Sequence, residues 1–467
     1  MAYRATEDYE GSLRELRMAE SLDPKSAETQ YQLALTLDQM SDRDATDRER
    51  LQDQAVVALR TATRLVPSSP IYQYILGRKL LERGEYDDAR AYLERAVELK
   101  RDAAPWYATL GDVYSEQGSH DLALEQYARA LESNPDDIGY LHRAALAYTR
   151  LGYEREAGEL LEQAVDLDPG NARFHSDLGH IYTRQGKFRE AREVYSRAAK
   201  LEPGNPSHLV DLGKAALELG DADEALSRFE AAIKGNGAYT PAYECIGAVY
   251  ERNQEWGKSL EAYRRASDLQ PNRAFYHYKA GAIQEQLGQH EEAIEYLELA
   301  VELEPGMTDA YVLLGEAYEG QGRYDEAMQA YEQAIVIAPG KPIHHERIGR
   351  LCRKLGHLDK ALVHFRELVN LQPENPGNYY ELGKTHEVRE EYGDALEAYL
   401  EACEGDPDEA EYHYGAGVMY KHLKRYPEAA AKLRRAIKLQ PGHADAYKQW
   451  AAVSAMSFIW REGREAR

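Results

Sequence analysis

The sequence predicts an all-α solenoid of stacked helix-turn-helix units, each 34 residues long, and three observations carry that reading. First, Pro135, Pro169 and Pro203 are followed by Pro271, Pro305, Pro339, Pro373, Pro407 and Pro441, always 34 residues apart or 68 across one gap. Looking for such a period comes first, because a fixed repeat of this length marks a stacked array. Gly237 holds the missing rung, Arg101 the rung before Pro135, and Pro67 extends the ladder upstream. Second, with the proline at place 32, glycine recurs at place 8 (Gly77, Gly111, Gly179, Gly315, Gly383) and alanine at place 20 (Ala55, Ala123, Ala191, Ala327, Ala395). Third, each unit holds two runs of helical apolar spacing, separated by a glycine such as Gly322 that suits a left-handed helix end. The proline then stops the second helix. Small residues mark where two helix backbones approach, and larger ones fill the space beside them.

Taken in order, the elements are a half repeat at 1–26, an enlarged repeat at 27–69, eleven regular repeats over 70–443 and a final helix from 444. Pro24 stands 43 residues before Pro67, so the enlarged repeat carries nine extra residues. They lie in SDRDATDRERLQDQ (41–54), where Thr46 and Glu49 have capping-box spacing and predict a second helix lengthened by about two turns. In the repeat at 240–273, Ser259 replaces the alanine and Gln254 the turn glycine, which predicts looser packing there. The last helix carries Trp450, Val453, Met456, Phe458, Ile459 and Trp460 with no helix after it. An apolar cluster of that kind, centred on Phe458, Ile459 and Trp460, is expected to dock another chain or to self-associate.

Composition narrows the function. The chain of 467 residues has a formal net charge of −24, which disfavours nucleic acid and anionic membrane surfaces as partners. Cys245, Cys352 and Cys403 are too few and too scattered for a disulfide framework, which points to a reducing compartment. The opening MAYRATEDYEGSLR has no apolar core, so no secretory leader is expected. WAAVSAMSFIW (450–460) is too short to span a bilayer. A soluble cytoplasmic protein without membrane insertion is expected.

Catalytic and cofactor motifs are weak. GNYYELGKT (377–385) has five residues between Gly377 and Gly383 where a phosphate-binding loop needs four, and Gly383 belongs to the packing column. His344, His345, Cys352 and His357 form no pair at metal-ligating i, i+4 spacing, and read as a core cysteine with surface histidines. No cofactor, no metal and no enzymatic activity are expected. Most tyrosines, including Tyr114, Tyr182, Tyr250 and Tyr318, fall in packing columns.

The columns W/Y–L–G–Y…A…F/Y…A…P resemble the tetratricopeptide repeat over essentially the whole chain. The resemblance implies a right-handed superhelix whose first helices line a concave groove at places 2, 5, 6, 9, 12 and 13. It implies a non-catalytic scaffold that binds a protein or peptide segment there and helps assemble a multiprotein complex. A regulatory or substrate-recruiting array of a larger enzyme or signalling protein is the alternative. Over the eleven regular repeats these groove places sum to −2, against −24 for the chain. Two basic blocks stand out, Arg347, Arg350, Arg353 and Lys354 in one helix, and Arg143, Arg150, Arg173 and Arg184 with His142 and His180 nearby. Acids flank the first of these, namely Glu316, Glu319, Glu381 and Glu387. Both blocks point to an acidic or phosphorylated partner segment. Ile71, Tyr74, Ile75 and Leu81 form an apolar groove patch, and Tyr278, Tyr380 and Tyr414 share place 5 with Tyr74. Two specialised grooves of the family do not carry over. No repeat has lysine at place 5 with asparagine at place 9, and place 6 carries no asparagine ladder.

Circular dichroism should therefore be almost wholly helical and small-angle scattering should show an elongated particle; substantial strand signal or a compact sphere would overturn the fold.

Overall fold

The computed structural model describes residues 8–43 and 46–465, with side chains of the last helix as far as Met456. Among these residues there are 26 α-helices and no strand. The helices gather into two compact units, Met1–Ala242 and Tyr243–Arg467. Within each unit, successive helices pack on the one before and the one after.

Local chemistry explains where each helix starts and stops. First helices of the regular repeats run for 13 or 14 residues, as in Ala172–Arg184 and Ile138–Leu151, and second helices for 14, as in Phe188–Leu201. Place 34 supplies the cap of the next first helix. Asn171 accepts from the Arg173 N–H at 3.1 Å, Asn205 from Ser207 at 3.1 Å and Asn375 from Gly377 at 3.0 Å. Such caps satisfy N–H groups that have no partner inside the helix. Each first helix of the eleven regular repeats closes with a left-handed residue, and the N–H after it reaches back to place 11. Ser119 donates to the Tyr114 carbonyl at 2.8 Å and Arg323 to that of Tyr318 at 2.8 Å. That is a Schellman closure.

Eight of these left-handed residues are glycines with φ between 70° and 83°, but Gln254, Glu390 and Lys424 adopt φ of 58–62°. The expected looseness at 240–273 is not what the helices show. Gln254 takes the same turn as the glycines, and the buried Ser259 hydroxyl donates to the Gly247 carbonyl at 2.8 Å. The serine replaces a methyl contact with a hydrogen bond at the same crossing.

The core repeats as faithfully as the sequence. Ala89, Ala123, Ala157, Ala191 and Ala225 are fully buried in the first unit, as are Ala293, Ala327, Ala361, Ala395 and Ala429 in the second. The place 8 glycines let a ring lie flat on the backbone. A Cβ on Gly111 would stand 2.5 Å from the Tyr127 ring, and one on Gly179 2.5 Å from that of Tyr195. A second column was not read from the sequence. At place 4, Gln73, His175, His277, His345 and His413 each bond the carbonyl of the proline six residues earlier, at 2.8–3.1 Å. A proline ends the helix but leaves its own carbonyl to be satisfied, and the buried amide or imidazole does so. His344 and His345 are thus buried rather than on the surface. Because the Pro339 carbonyl only accepts, His345 donates to it from Nε2, while its Nδ1 lies 3.3 Å from His364 Nδ1.

The enlarged repeat departs from expectation at its second helix. Its first helix, Ala27–Ser41, gains two residues over the usual 13, and its second, Arg48–Leu65, gains four over the usual 14. The rest of the insertion falls in the connection 42–47. The second helix is therefore longer by about one turn, not two. It starts with Asp47 at the cap position, one residue later than a box on Thr46 and Glu49 requires.

Two opposite substitutions follow from this geometry. Gly179→Ala should lower stability by about 1–2 kcal/mol, overpacking against Tyr195 outweighing the gain in helix propensity. Lys424→Gly should raise it by about 1 kcal/mol through relief of the left-handed backbone. Urea midpoints check both.

Candidate interaction groove

The first helices present the candidate residues, and the two units hold them differently. In the first unit a ladder of acids runs between repeats. Asp112 meets Arg143 Nε at 3.4 Å and accepts from the Tyr127 hydroxyl at 3.0 Å. Burial raises its carboxyl above the ordinary value, with Arg143 pulling the other way. Asp177 takes His142 Nε2 at 2.7 Å and, more distantly, Arg173 at 3.8 Å. Asp211 meets His180 at 3.5 Å, and that hydrogen bond holds the imidazole pKa up against burial. Arg184 bonds Glu154 at 2.7 Å. Among the described residues Arg150 has no carboxylate partner, and its side chain is exposed. Arg143, Arg150 and Arg173 are thus loosely held, while Arg184 is closely paired. Arg173 is 70% exposed.

In the second unit the arginines are gripped. Arg347 bonds Glu316 at 2.7 Å, and Arg350 bonds both Glu346 at 2.8 Å and Glu381 at 2.9 Å. Arg353 closes on the second oxygen of Glu381 at 2.5 Å, donates to the Glu381 carbonyl at 3.0 Å and lies over the Phe365 ring. Burial pushes the Glu381 carboxyl up, yet Arg353 and Arg350 more than reverse this and hold it below the ordinary value. Arg353 is 15% exposed and Glu381 12%, so this pair braces two neighbouring repeats. Arg347 and Arg350 keep 41% and 49% of their surface. Lys354 lies over the Tyr324 ring at 4.7 Å.

The sequence spacing mistook two of the acids. Among the described residues Glu319 and Glu387 take no arginine; they accept the hydroxyls of Tyr331 and Tyr399 from their own repeats. Glu346, one turn before Arg350, was missed, although i, i+4 spacing makes it legible. The packing tyrosines follow a similar rule, Tyr114 donating to Glu94 at 2.6 Å and Tyr182 to Glu162 at 2.7 Å.

The apolar candidates are half-buried. Tyr74 stacks on Trp106 with centroids 4.8 Å apart and meets Thr109 at 3.4 Å, while Ile75 and Leu81 pack on the core and Ile71 is exposed. Tyr278 packs on the second unit's core. Tyr380 sits between Tyr399 and Tyr412, under Lys384, its hydroxyl pKa raised to about 12 by burial and nearby carboxylates. Tyr414 lies 4.7 Å from the His443 ring. In the last helix, Val453 is buried and Trp450 packs on the preceding repeat. The side chains of Phe458, Ile459 and Trp460 lie outside the described residues.

Chemistry that could suggest another activity has a local explanation. GNYYELGKT lies inside the helix Pro376–Val388. Cys352 is buried against Met328, and His344 bonds the Ala338 carbonyl at 3.1 Å. His386, Glu391 and Asp394 could approach a cation, but Glu391 is already shared by His386 at 2.6 Å and Arg389 at 3.0 Å. No helix among the described residues is long and apolar enough to cross a membrane.

Comparison with known proteins agrees with the repeat. A family model described as the C-terminal domain of cilia and flagella-associated protein 70 matches residues 28–274. The tetratricopeptide repeat model matches 246–308, 278–342, 346–410 and 380–444. Sequence comparison with curated proteins gives no match. Among solved structures the chain is similar to YrrB, described as a tetratricopeptide protein with an unusual peptide-binding site. That match has 20% identity over 40% of this chain and 96% of YrrB, with a TM-score of 0.37. Yeast Tom70 matches at 17% identity over 84% of this chain and 96% of its own, with a TM-score of 0.34. The Cut9–Hcn1 assembly of the APC/C matches at 14% identity, 97% and 94% coverage, and a TM-score of 0.36.

The Glu381 brace is open to test. Glu381→Gln should cost roughly 3 kcal/mol at pH 7, because it leaves Arg353 half-buried without a counter-charge. The Glu381 pKa is depressed, so its contribution is present above the unfolded value of about 4.3 and is lost as pH falls through the folded one. The gap between wild type and variant should therefore close below about pH 4 in urea titrations.

Proposed function

The chain belongs to the tetratricopeptide repeat family, and on that premise we propose that it is a non-catalytic scaffold gripping an extended segment of another protein. The first-helix face would take the segment, with Arg143, Arg150, Arg173 and Arg184 meeting acidic or phosphorylated side chains. The observation that supports this most is the contrast between the two basic blocks. Among the described residues the first keeps Arg150 without a carboxylate and two ion pairs of 3.4 and 3.8 Å, so Arg143, Arg150 and Arg173 can turn to a ligand at little cost, whereas Arg184 would have to leave Glu154. In the second, a ligand must displace Glu316 and Glu346 to reach Arg347 and Arg350. Binding there would be weaker and strongly salt-dependent. One flexible partner reaching both blocks would gain avidity. The buried thiols of Cys352 and Cys403 support a reducing, cytoplasmic setting.

A second reading is a recruiting or regulatory array of a larger enzyme or signalling protein. It is supported by the description of the matching family as the C-terminal domain of another protein. A catalytic domain encoded on either side of this reading frame would favour it.

Cross-linking with mass spectrometry should identify a partner segment whose affinity can be titrated. Arg143→Glu with Arg184→Glu should weaken that affinity by about 2 kcal/mol or more, and Arg347→Glu with Arg350→Glu by less, with helicity unchanged. Undiminished affinity in both would make the basic blocks structural, and the patch at Ile71, Tyr74 and Leu81 the better candidate.

A further inference from the structure

We propose that a cleft on the second-helix side of the first unit, separate from the first-helix face, binds an acidic polypeptide segment. The cleft, of about 760 Å³, is bordered by Arg189, Arg192, Ser196, Arg197 and Lys200 of the helix Phe188–Leu201, and by Leu212 and Glu224 of the next repeat. All four cations are exposed. Two carboxylates serve them, and neither suffices. Glu193 takes Arg197 at 2.7 Å. Glu224 is shared between Arg192 at 3.4 Å and Arg228 at 3.2 Å. Among the described residues Arg189 and Lys200 have no carboxylate at all. A surplus of positive charge thus lines the cleft of a chain whose net charge is −24. Like charges crowded on one helix raise the free energy of the unliganded protein, and a ligand carboxylate relieves that.

Dimensions favour a peptide. Residues 189, 192, 196 and 200 follow one helix face, and Arg189 and Lys200 are separated by about 16 Å of helix at 1.5 Å per residue. An extended chain covers that length in about five residues, with side chains i, i+2 and i+4 on one side. Carboxylates at the two ends of that stretch would come within side-chain reach of Arg189 and Lys200, with the middle one nearer to Arg192. The guanidinium groups accept them in bidentate fashion, and Ser196 offers a hydroxyl between. Leu212 supplies the apolar floor.

The test is fluorescence anisotropy of a labelled, end-blocked Glu-Ser-Glu-Ser-Glu peptide with the full chain at low salt. A Lys-Ser-Lys-Ser-Lys peptide serves as control and heparin as a competing polyanion. We expect the acidic peptide alone to bind, and Arg189→Glu with Lys200→Glu to weaken it about tenfold or more. With Arg143→Glu and Arg184→Glu already in place, the peptide should still bind, and adding Arg189→Glu with Lys200→Glu should weaken that remaining binding about tenfold, which separates this site from the groove. If the charge reversal perturbs circular dichroism, Arg189→Gln with Lys200→Gln should still weaken binding severalfold. Peptide affinity untouched by cleft variants, or lost only with the groove variants, overturns the proposal. So does binding of heparin without binding of the peptide, which would assign the cleft to a non-peptide polyanion.

Discussion

Everything in this chain hangs on the crossing of two helices inside each repeat. A glycine at place 8 has no side chain, so the ring or leucine at place 24 lies directly on its backbone. The alanine at place 20 is small enough to bury completely beside it. Close approach fixes the angle between the helices, and the angle fixes which surfaces meet the next repeat. Ser259 shows how little freedom the crossing allows. The one polar residue tolerated in the second unit's column is held by the Gly247 carbonyl.

A packing rule so repetitive leaves the polar faces to carry individuality. In both units a carboxylate at the groove is spent on a neighbour, but what it holds differs. Asp112, Asp177 and Asp211 hold histidines and arginines at ordinary or long range, and leave much of the arginine surface open. Glu381 holds two arginines at once and is nearly buried. The same residue types are therefore left open in one place and brace repeat to repeat in the other. The outer cleft at Arg189 and Lys200 extends this logic to the second-helix side, where a basic helix meets too few acids.

The enlarged repeat illustrates the cost of reading caps from spacing alone. Thr46 and Glu49 have the right interval, yet the helix begins at Arg48. Spacing records which hydrogen bonds are available, and the neighbouring charges and turns choose among them. His344 and His345 make the same point for burial. Polar letters in a first helix look solvent-exposed until the carbonyls they satisfy at the end of the preceding helix, here those of Ala338 and Pro339, come into view.

Proline, glycine and alanine recurring every 34 residues were enough to give the helices, their order and the residues at each crossing, because those constraints act over a single repeat. Gln254, Glu390 and Lys424 keep the left-handed turn of the glycines, so position in the period, not residue type, sets that backbone, and the looseness expected at Gln254 does not follow from the missing glycine. Partnership across repeats was not readable. Whether Arg350 turns to Glu381 or Glu387 depends on side-chain directions of helices 31 or more residues away, where several carboxylates lie at similar sequence distance. Only the packed helices select one, since Tyr399 occupies Glu387 and leaves Glu381 to the arginines.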